Sequence, residues 1–336
     1  MPAWIDTKNE IANRNNDYDT VRRERIGAVE ALTGRPLIIY STAFLENEKV
    51  KASRGEVGID NYDPVGIDEV ISVIEGENLD ILIHSPGGSP EAAEAIVSLL
   101  RSRFNSIRFL VPHMAKSAAT MICCAGDEIL MDNRSELGPI DPQMQLIRGD
   151  NVVIGAPAQA IIKQFDKAKE SLAKNPKEMA AWLPILQPLG PSLLTECENA
   201  NNLSYELVLN WLKEYMFRDE DEKDELSEEV AKFLSMSENH LSHGRRVGIE
   251  KLKELHVKII DLREYNDLRN AIWNLYLSIM ITLQDTSAFK IIESCHGSAF
   301  IRKVVVQQIA LPNIQPLPYG QPNQQNRPEN KRKRHK

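Results

Sequence analysis

The chain has 336 residues at 37.9 kDa, enough for one large α/β domain with appendages or for two small domains. With 42% hydrophobic and 26% charged residues it falls outside the collagen-like, wholly disordered and disulfide-scaffold classes. A formal charge of -8 argues against nucleic acid as a main partner, because phosphate binding needs a basic face; only the last ten residues, with six Lys/Arg against the single Glu329, could touch an anionic surface.

In chain order, residues 1–34 read as a helical extension, with a polar helical stretch at Asp19–Leu32. Pro36–Tyr40 then reads as a first strand, and the Gly- and Pro-containing region from Tyr40 to Ile67 as a long loop at one edge of the site. From there the pattern alternates: a buried strand at Leu79–Ile83, an amphipathic helix at Pro90–Phe104, a strand at Ile107–Val111, a helix at Ser117–Ala125 and a strand at Glu128–Met131. Strands alternating with helices of this length predict right-handed βαβ units on a largely parallel sheet, here over residues 35–157. Residues 158–310 read as a mainly helical half, with patterns at Ala158–Ala173, Leu203–Phe217, Glu228–His240 and Leu268–Leu283. The stripe Ile272, Leu275, Tyr276, Ile279 and Leu283 reads as an assembly surface. Residues 311–336, with five prolines and a Gln/Asn-rich spacer, read as a disordered tail dispensable for folding.

No apolar run reaches the ~18 residues of a bilayer span, and the N-terminus lacks the basic and apolar regions of a secretory signal, so a cytoplasmic location is expected. Cys123 and Cys124 are adjacent, and Cys197 and Cys295 stand alone. No CxxC or Cys/His spacing suggests a metal, and reduced, buried thiols are expected.

The chemistry concentrates at two strand-to-helix turns. His84-Ser85-Pro86-Gly87-Gly88 follows the strand ending at Ile83, and glycines there let backbone N–H groups face outward beside a helix N-terminus, as an oxyanion hole requires. Lys116-Ser117-Ala118-Ala119 follows the next strand. Ser117 stands at a helix start with small neighbours that leave its hydroxyl approachable, although a serine there is commonly only an N-cap. Both turns fall at the same carboxyl edge of a parallel sheet, where α/β ligand sites form.

These residues carry a family resemblance. Ile83–Gly88, then Ala115–Met121, Gly126–Ile129 and Leu137–Gln143 resemble the serine dehydrogenase proteinase family, akin to signal peptide peptidase A and the Clp protease proteolytic subunit, within the Clp/crotonase fold. A weaker echo lies at His243–Arg246 and Ile249–Leu255. The resemblance implies an α/β, Clp/crotonase-like parallel sheet followed by a mainly helical half, and a serine peptidase with no metal or cofactor. It makes Ser117 the nucleophile and the amides of Gly87 and Gly88, with that of Ala118, the oxyanion donors. A peptide or protein substrate and a homo-oligomer follow from it as well.

The general base is left open. Where Clp-type peptidases carry a histidine, some twenty-five residues after the nucleophile, this chain has Ile140-Asp141-Pro142, and a carboxylate is a weak base toward a serine hydroxyl. A Ser/Lys dyad is the natural alternative. Lys116 adjoins Ser117 but points about 100° away on a helix. In the helix after Pro157 the stripe Ala158, Ile161, Ile162, Phe165 and Leu172 takes in Lys169, the first choice for a desolvated lysine, ahead of Lys163. His84 and His113 are further candidates, whereas His243 and Arg245 read as residues binding backbone carbonyls at a turn, and Asp141 as a structural acceptor. Two rival functions share the motifs: crotonase-type acyl-thioester chemistry, which needs a placed carboxylate, and a peptidase-like scaffold that binds without cutting.

Overall fold

The fold is described by a computed structural model over residues 3–147, 153–187, 192–236, 240 and 242–304. The aliphatic runs foreseen as strands line up as β1 (Leu37–Thr42), β2 (Asn78–His84), β3 (Ser106–Val111) and β5 (Glu128–Met131), with the two-residue β4 (Met114–Ala115) between the last two. Short β6 (Glu136–Leu137) pairs with β4, and β7 (Gln143–Ile147) with β8 (Val153–Pro157). β9 (Ile259–Asp261), β10 (Ala288–Ser294) and β11 (Ala299–Lys303) complete a seven-stranded sheet in the order β11-β10-β1-β2-β3-β5-β9. The five strands from β1 to β9 run parallel; β10 and β11 are antiparallel additions at one edge.

Successive residues of each central strand face opposite sides, and the core divides accordingly. Ile38, Tyr40, Ile81, Ile83, Phe109 and Val111 face one side, while Leu37, Ile39, Leu82 and Leu110 face the other. On the first side pack α4 (Asp63–Ile71), α5 (Pro90–Arg103), α6 (Ala118–Cys124), α9 (Leu193–Trp211) and α10 (Lys223–Ser235). On the second lie α2 (Tyr18–Thr33) and the long helix α12 (Asn266–Asp285). The remaining helices are α1 (Trp4–Asn13), α3 (Asn47–Ala52), α7 (Ala158–Lys174), α8 (Met179–Leu186) and α11 (Ile249–Glu254). Helix boundaries follow ordinary capping: Asp17 accepts from the Thr20 amide at 3.1 Å at the start of α2, and Gly34, at φ 67°, ends it in the left-handed conformation. Among the described residues no helix is long and apolar enough to cross a membrane.

Three features depart from the sequence reading. The region Tyr40–Ile67 holds α3 and the start of α4 rather than an unbroken loop. The mainly helical second half also contributes three strands that the sequence reading did not foresee, β9, β10 and β11, to the main sheet. β10 escaped detection because Lys290 and Glu293 interrupt its apolar run; both are fully buried, Lys290 on Asp63 at 2.7 Å and Glu293 on Arg22 at 2.5 Å. Finally, Ile272, Leu275, Tyr276, Ile279 and Leu283 of α12 are at most 5% exposed, covered by α2 and the sheet. They form interior packing, so self-assembly rests on the family resemblance alone. The tail read as disordered, residues 311–336, lies outside the described residues.

Candidate active site

β2 and β3 end side by side, and the chain after each is stitched to the other. The Ser85 amide donates to Met114 O at 3.1 Å, and the Lys116 amide donates back to Ser85 O at 3.0 Å. Gly87 and Gly88 follow with φ of 91° and 156°. A Cβ on Gly87 would lie 2.5 Å from Lys116 O and 2.7 Å from Ser117 Cβ; one on Gly88 would lie 2.4 Å from the Ile59 nitrogen. Only glycine allows backbone to approach this closely. The segment on the far side is tied in as well: the Ile59 amide donates to Gly87 O at 2.8 Å, and the Ser89 amide to Ile59 O at 2.9 Å. Gly58 is held in turn by the buried Lys290, whose ammonium donates to Gly58 O at 2.7 Å while paired with Asp63.

Of the amides proposed to hold an oxyanion, that of Gly87 donates inward to Ser85 Oγ at 3.2 Å. The amides of Gly88 and Ala118 have no protein acceptor among the described residues. Gly87 thus permits the close contact with Ser117, and the amides of Gly88 and Ala118 are the donors left unengaged among the described residues.

Ser117 occupies the N-cap position of α6 but makes no capping hydrogen bond, which removes the ordinary explanation for a serine at a helix start. Its backbone has φ 51° and ψ -123°, a left-handed conformation that costs a non-glycine residue about 1–3 kcal/mol and recurs where a nucleophile is thrust out of a strand-to-helix turn. Flanking bonds enforce it. Ala119 N donates to Lys116 O at 2.9 Å, and Lys116 Nζ is tied to Glu136 at 2.8 Å and to Leu137 O at 3.1 Å. Lys116 is thus spent in an ion pair.

A histidine–carboxylate pair forms from two segments about a hundred residues apart. Leu137 and Val247 exchange both backbone hydrogen bonds, at 3.0 and 3.1 Å, and Ile140 N donates to Leu234 O of α10 at 2.9 Å. That pairing sets the chain after β6 alongside residues 243–247, and His243 Nδ1 meets Asp141 Oδ1 at 2.8 Å. Asp141 is 1% exposed, and Gln143 Nε2 donates to its second oxygen at 3.0 Å. With Nδ1 engaged, Nε2 is the imidazole nitrogen left for chemistry. His243 and Ser117 line one cleft of about 480 Å³, together with Gly88, Ala118, Met121 and Ile140.

The remaining sequence candidates lie elsewhere. Lys169 does not line the cleft; its side chain is 67% exposed and sits 3.9 Å from Asp166. The buried line of α7 runs through Ala158, Ile161 and Ala168, one residue away from Lys169 and so about 100° around the helix, which denies this lysine the desolvation that a neutral base would need. Lys163 is half-buried on the same helix and also outside the cleft. His84 is buried behind the glycine turn among Phe44, His113 and Tyr276, with ring centroids 4.8, 5.7 and 5.2 Å away. Burial, then the neighbouring His113, push its pKa down to about 3. His113 is likewise lowered by burial and meets the Tyr276 hydroxyl at 3.0 Å.

Residues 59–263 match the family described as ClpP-like SDH-type serine proteinase. Two uncharacterized proteins of Methanocaldococcus jannaschii, MJ0137 and MJ1495, are 30% and 27% identical over 179 and 181 residues, covering 53% and 54% of this chain and 51% of each relative. The chain thus spans about half the length of these curated relatives. A solved mutant of the 1510-N membrane-bound stomatin-specific protease, in complex with a substrate peptide, aligns with TM-score 0.38 and 15% identity over 74% of this chain and 84% of its own. The family match takes in the glycine turn, Ser117, Asp141 and His243 together, and the chain belongs to the ClpP-like SDH-type serine proteinase family.

Proposed function

We propose that the protein hydrolyses peptide bonds through an acyl-enzyme, with Ser117 as nucleophile, His243 as general base and Asp141 as the group that orients it. One observation carries this reading: a histidine held by a buried carboxylate at 2.8 Å shares a cleft with a serine that has no capping bond. Ser117 Oγ attacks the scissile carbonyl as its proton passes to His243 Nε2, and Asp141 stabilises the imidazolium that forms. The negative charge gathers on the former carbonyl oxygen, where the amides of Gly88 and Ala118 would meet it. Each such donor is worth about 10²–10³ in rate. The imidazolium then protonates the leaving amine, and a water deprotonated by the same nitrogen releases the acid product.

The cleft also suggests a substrate class. Met121, Ile140, Pro142 and Met144 make much of its wall apolar, and Glu91 is its charged lining residue. This favours an extended peptide with an apolar side chain beside the scissile bond. Crotonase-type chemistry finds less support, because Asp141 is committed to His243 and Gln143.

The test is hydrolysis of an unfolded protein, such as reduced casein, by the full chain and by Ser117→Ala. Cleavage at apolar residues that falls to background in Ser117→Ala, with an unchanged melting temperature, is the expected result. Cleavage surviving in Ser117→Ala would overturn the assignment, and a folded wild type that cleaves nothing would favour the binding-scaffold reading.

A further inference from the structure

We propose that Glu30, Cys295 and His296 form a binding site for a zinc-class transition metal ion, tying the end of α2 to the turn between β10 and β11. Nothing in the spacing of the cysteines suggests it, because Glu30 lies 265 residues before Cys295. The fold brings them together in three steps. Gly34 ends α2 and returns the chain into β1, so that the Leu37 amide donates to Glu30 Oε1 at 2.7 Å and fixes the carboxylate. β10 runs antiparallel to β1 with Ile38 opposite Ser294, which sets the following Cys295-His296 beside the same point. Gly27, one turn before Glu30, keeps the helix face open there; a Cβ on it would only just reach Cys295 Sγ, at 4.0 Å.

The donor atoms of the three residues lie within 4.8 Å of one another. Cys295 Sγ is 3.0 Å from Glu30 Oε2, and His296 Nε2 is 3.0 Å from Glu30 Oε1. A tetrahedral ion with metal–sulfur distances near 2.3 Å and metal–nitrogen or metal–oxygen distances near 2.1 Å separates neighbouring donors by about 3.4–3.6 Å. To admit it, the two contacts to Glu30 need to open by about half an ångström, and donors spread as far as 4.8 Å need to close by about one. A thiolate, an imidazole and a carboxylate together suit zinc and its neighbours rather than magnesium or calcium, which prefer oxygen alone. The two elements are joined without any metal, since Arg22 of α2 and Glu293 of β10 form a fully buried ion pair at 2.5 Å. On binding, the Cys295 thiol gives its proton to solvent as the sulfur–metal bond forms. Half-exposed His296 leaves the fourth position open to water.

The site would be structural. β1 pairs with β10 at Ile38 and with His84 of β2 at Ser41, so the trio and the glycine turn lie at opposite ends of the strands. The test therefore needs no peptidase activity. Full-length protein is stripped with a chelator and titrated with cobalt(II), whose thiolate charge-transfer band and visible d–d bands report sulfur ligation in near-tetrahedral geometry. One equivalent should bind and be displaced by zinc. The band should vanish in Cys295→Ser, His296→Ala should weaken binding at least ~10-fold, and Ser117→Ala should bind as wild type does. Zinc should also raise the melting temperature of the wild type but not that of Cys295→Ser. Absence of the band at equimolar cobalt would show a hydrogen-bonded trio only. A band that persists in Cys295→Ser would assign the sulfur to Cys123, Cys124 or Cys197, all buried, and would equally overturn the proposal.

Discussion

Changing His243 to Gln is expected to lower kcat by about 10⁴–10⁶-fold and to leave KM and the melting temperature close to wild type. Glutamine is chosen because its amide can still donate to Asp141, which is 1% exposed and would otherwise lose a partner for its buried charge. It cannot accept a proton, so the serine loses its base while the cleft keeps its shape. Asp141→Asn should cost about 10⁴ in kcat, because the imidazole would then lack the acceptor that sets its tautomer and stabilises its charged form. Lys169→Ala should change the rate less than about twofold, given its exposed side chain outside the cleft. Steady-state hydrolysis of one fluorogenic peptide with an apolar residue at the scissile bond, run on all three variants, checks the set. A loss in Lys169→Ala comparable to that in His243→Gln would return the base to a lysine.

Gly88→Ala is the second large effect. Its Cβ would meet the oxygen and nitrogen of Ile59 at 2.3 and 2.4 Å, and these are backbone atoms of a segment that Lys290 and Asp63 pin from beneath. The clash cannot be relieved by rotating a side chain, so the turn must shift, moving the Gly88 amide away from the oxyanion position. We expect a loss of about 3 kcal/mol or more in stability and at least 10²-fold in kcat. Gly55→Ala is the control. Gly55 also has a positive φ, of 90°, but its Cβ would meet nothing within 4 Å, so only the conformational cost of about 1–2 kcal/mol should appear, with activity kept. Urea unfolding with parallel rate measurements separates the two; equal effects in both variants would mean that the close approach to Ile59 is unimportant.

Much of this was legible in the residues. The alternation of β1, β2, β3 and β5 with helices is written in contiguous apolar runs, and the glycine turn and Ser117 declare themselves because each lies within a few residues of a strand end. What local pattern cannot report is pairing between distant segments. Asp141 between its two apolar neighbours and His243 beside Gly244 were both noticeable in sequence, yet they meet only through the Leu137–Val247 bridge. A search for a histidine at a fixed spacing after the serine misses one that lies about a hundred residues beyond the carboxylate it pairs with. Periodicity misled twice for related reasons. Lys169 borders the buried line of α7 without lying on it, and the apolar face of α12 finds its cover in α2, some 250 residues earlier. β10 stayed hidden because its two charged residues are neutralised by partners elsewhere in the chain.

In the proposed mechanism the Ser117 hydroxyl is activated by the His243–Asp141 pair. A fluorophosphonate probe, which reacts with activated serines, tests it in one measurement when the labelled site is located by peptide mass spectrometry in the wild type, His243→Gln and Lys169→Ala. A single adduct on Ser117 is expected in the wild type and Lys169→Ala, with at least ~10³-fold slower labelling in His243→Gln. Labelling of Ser117 that proceeds unchanged in His243→Gln, or an adduct on another serine, would contradict it.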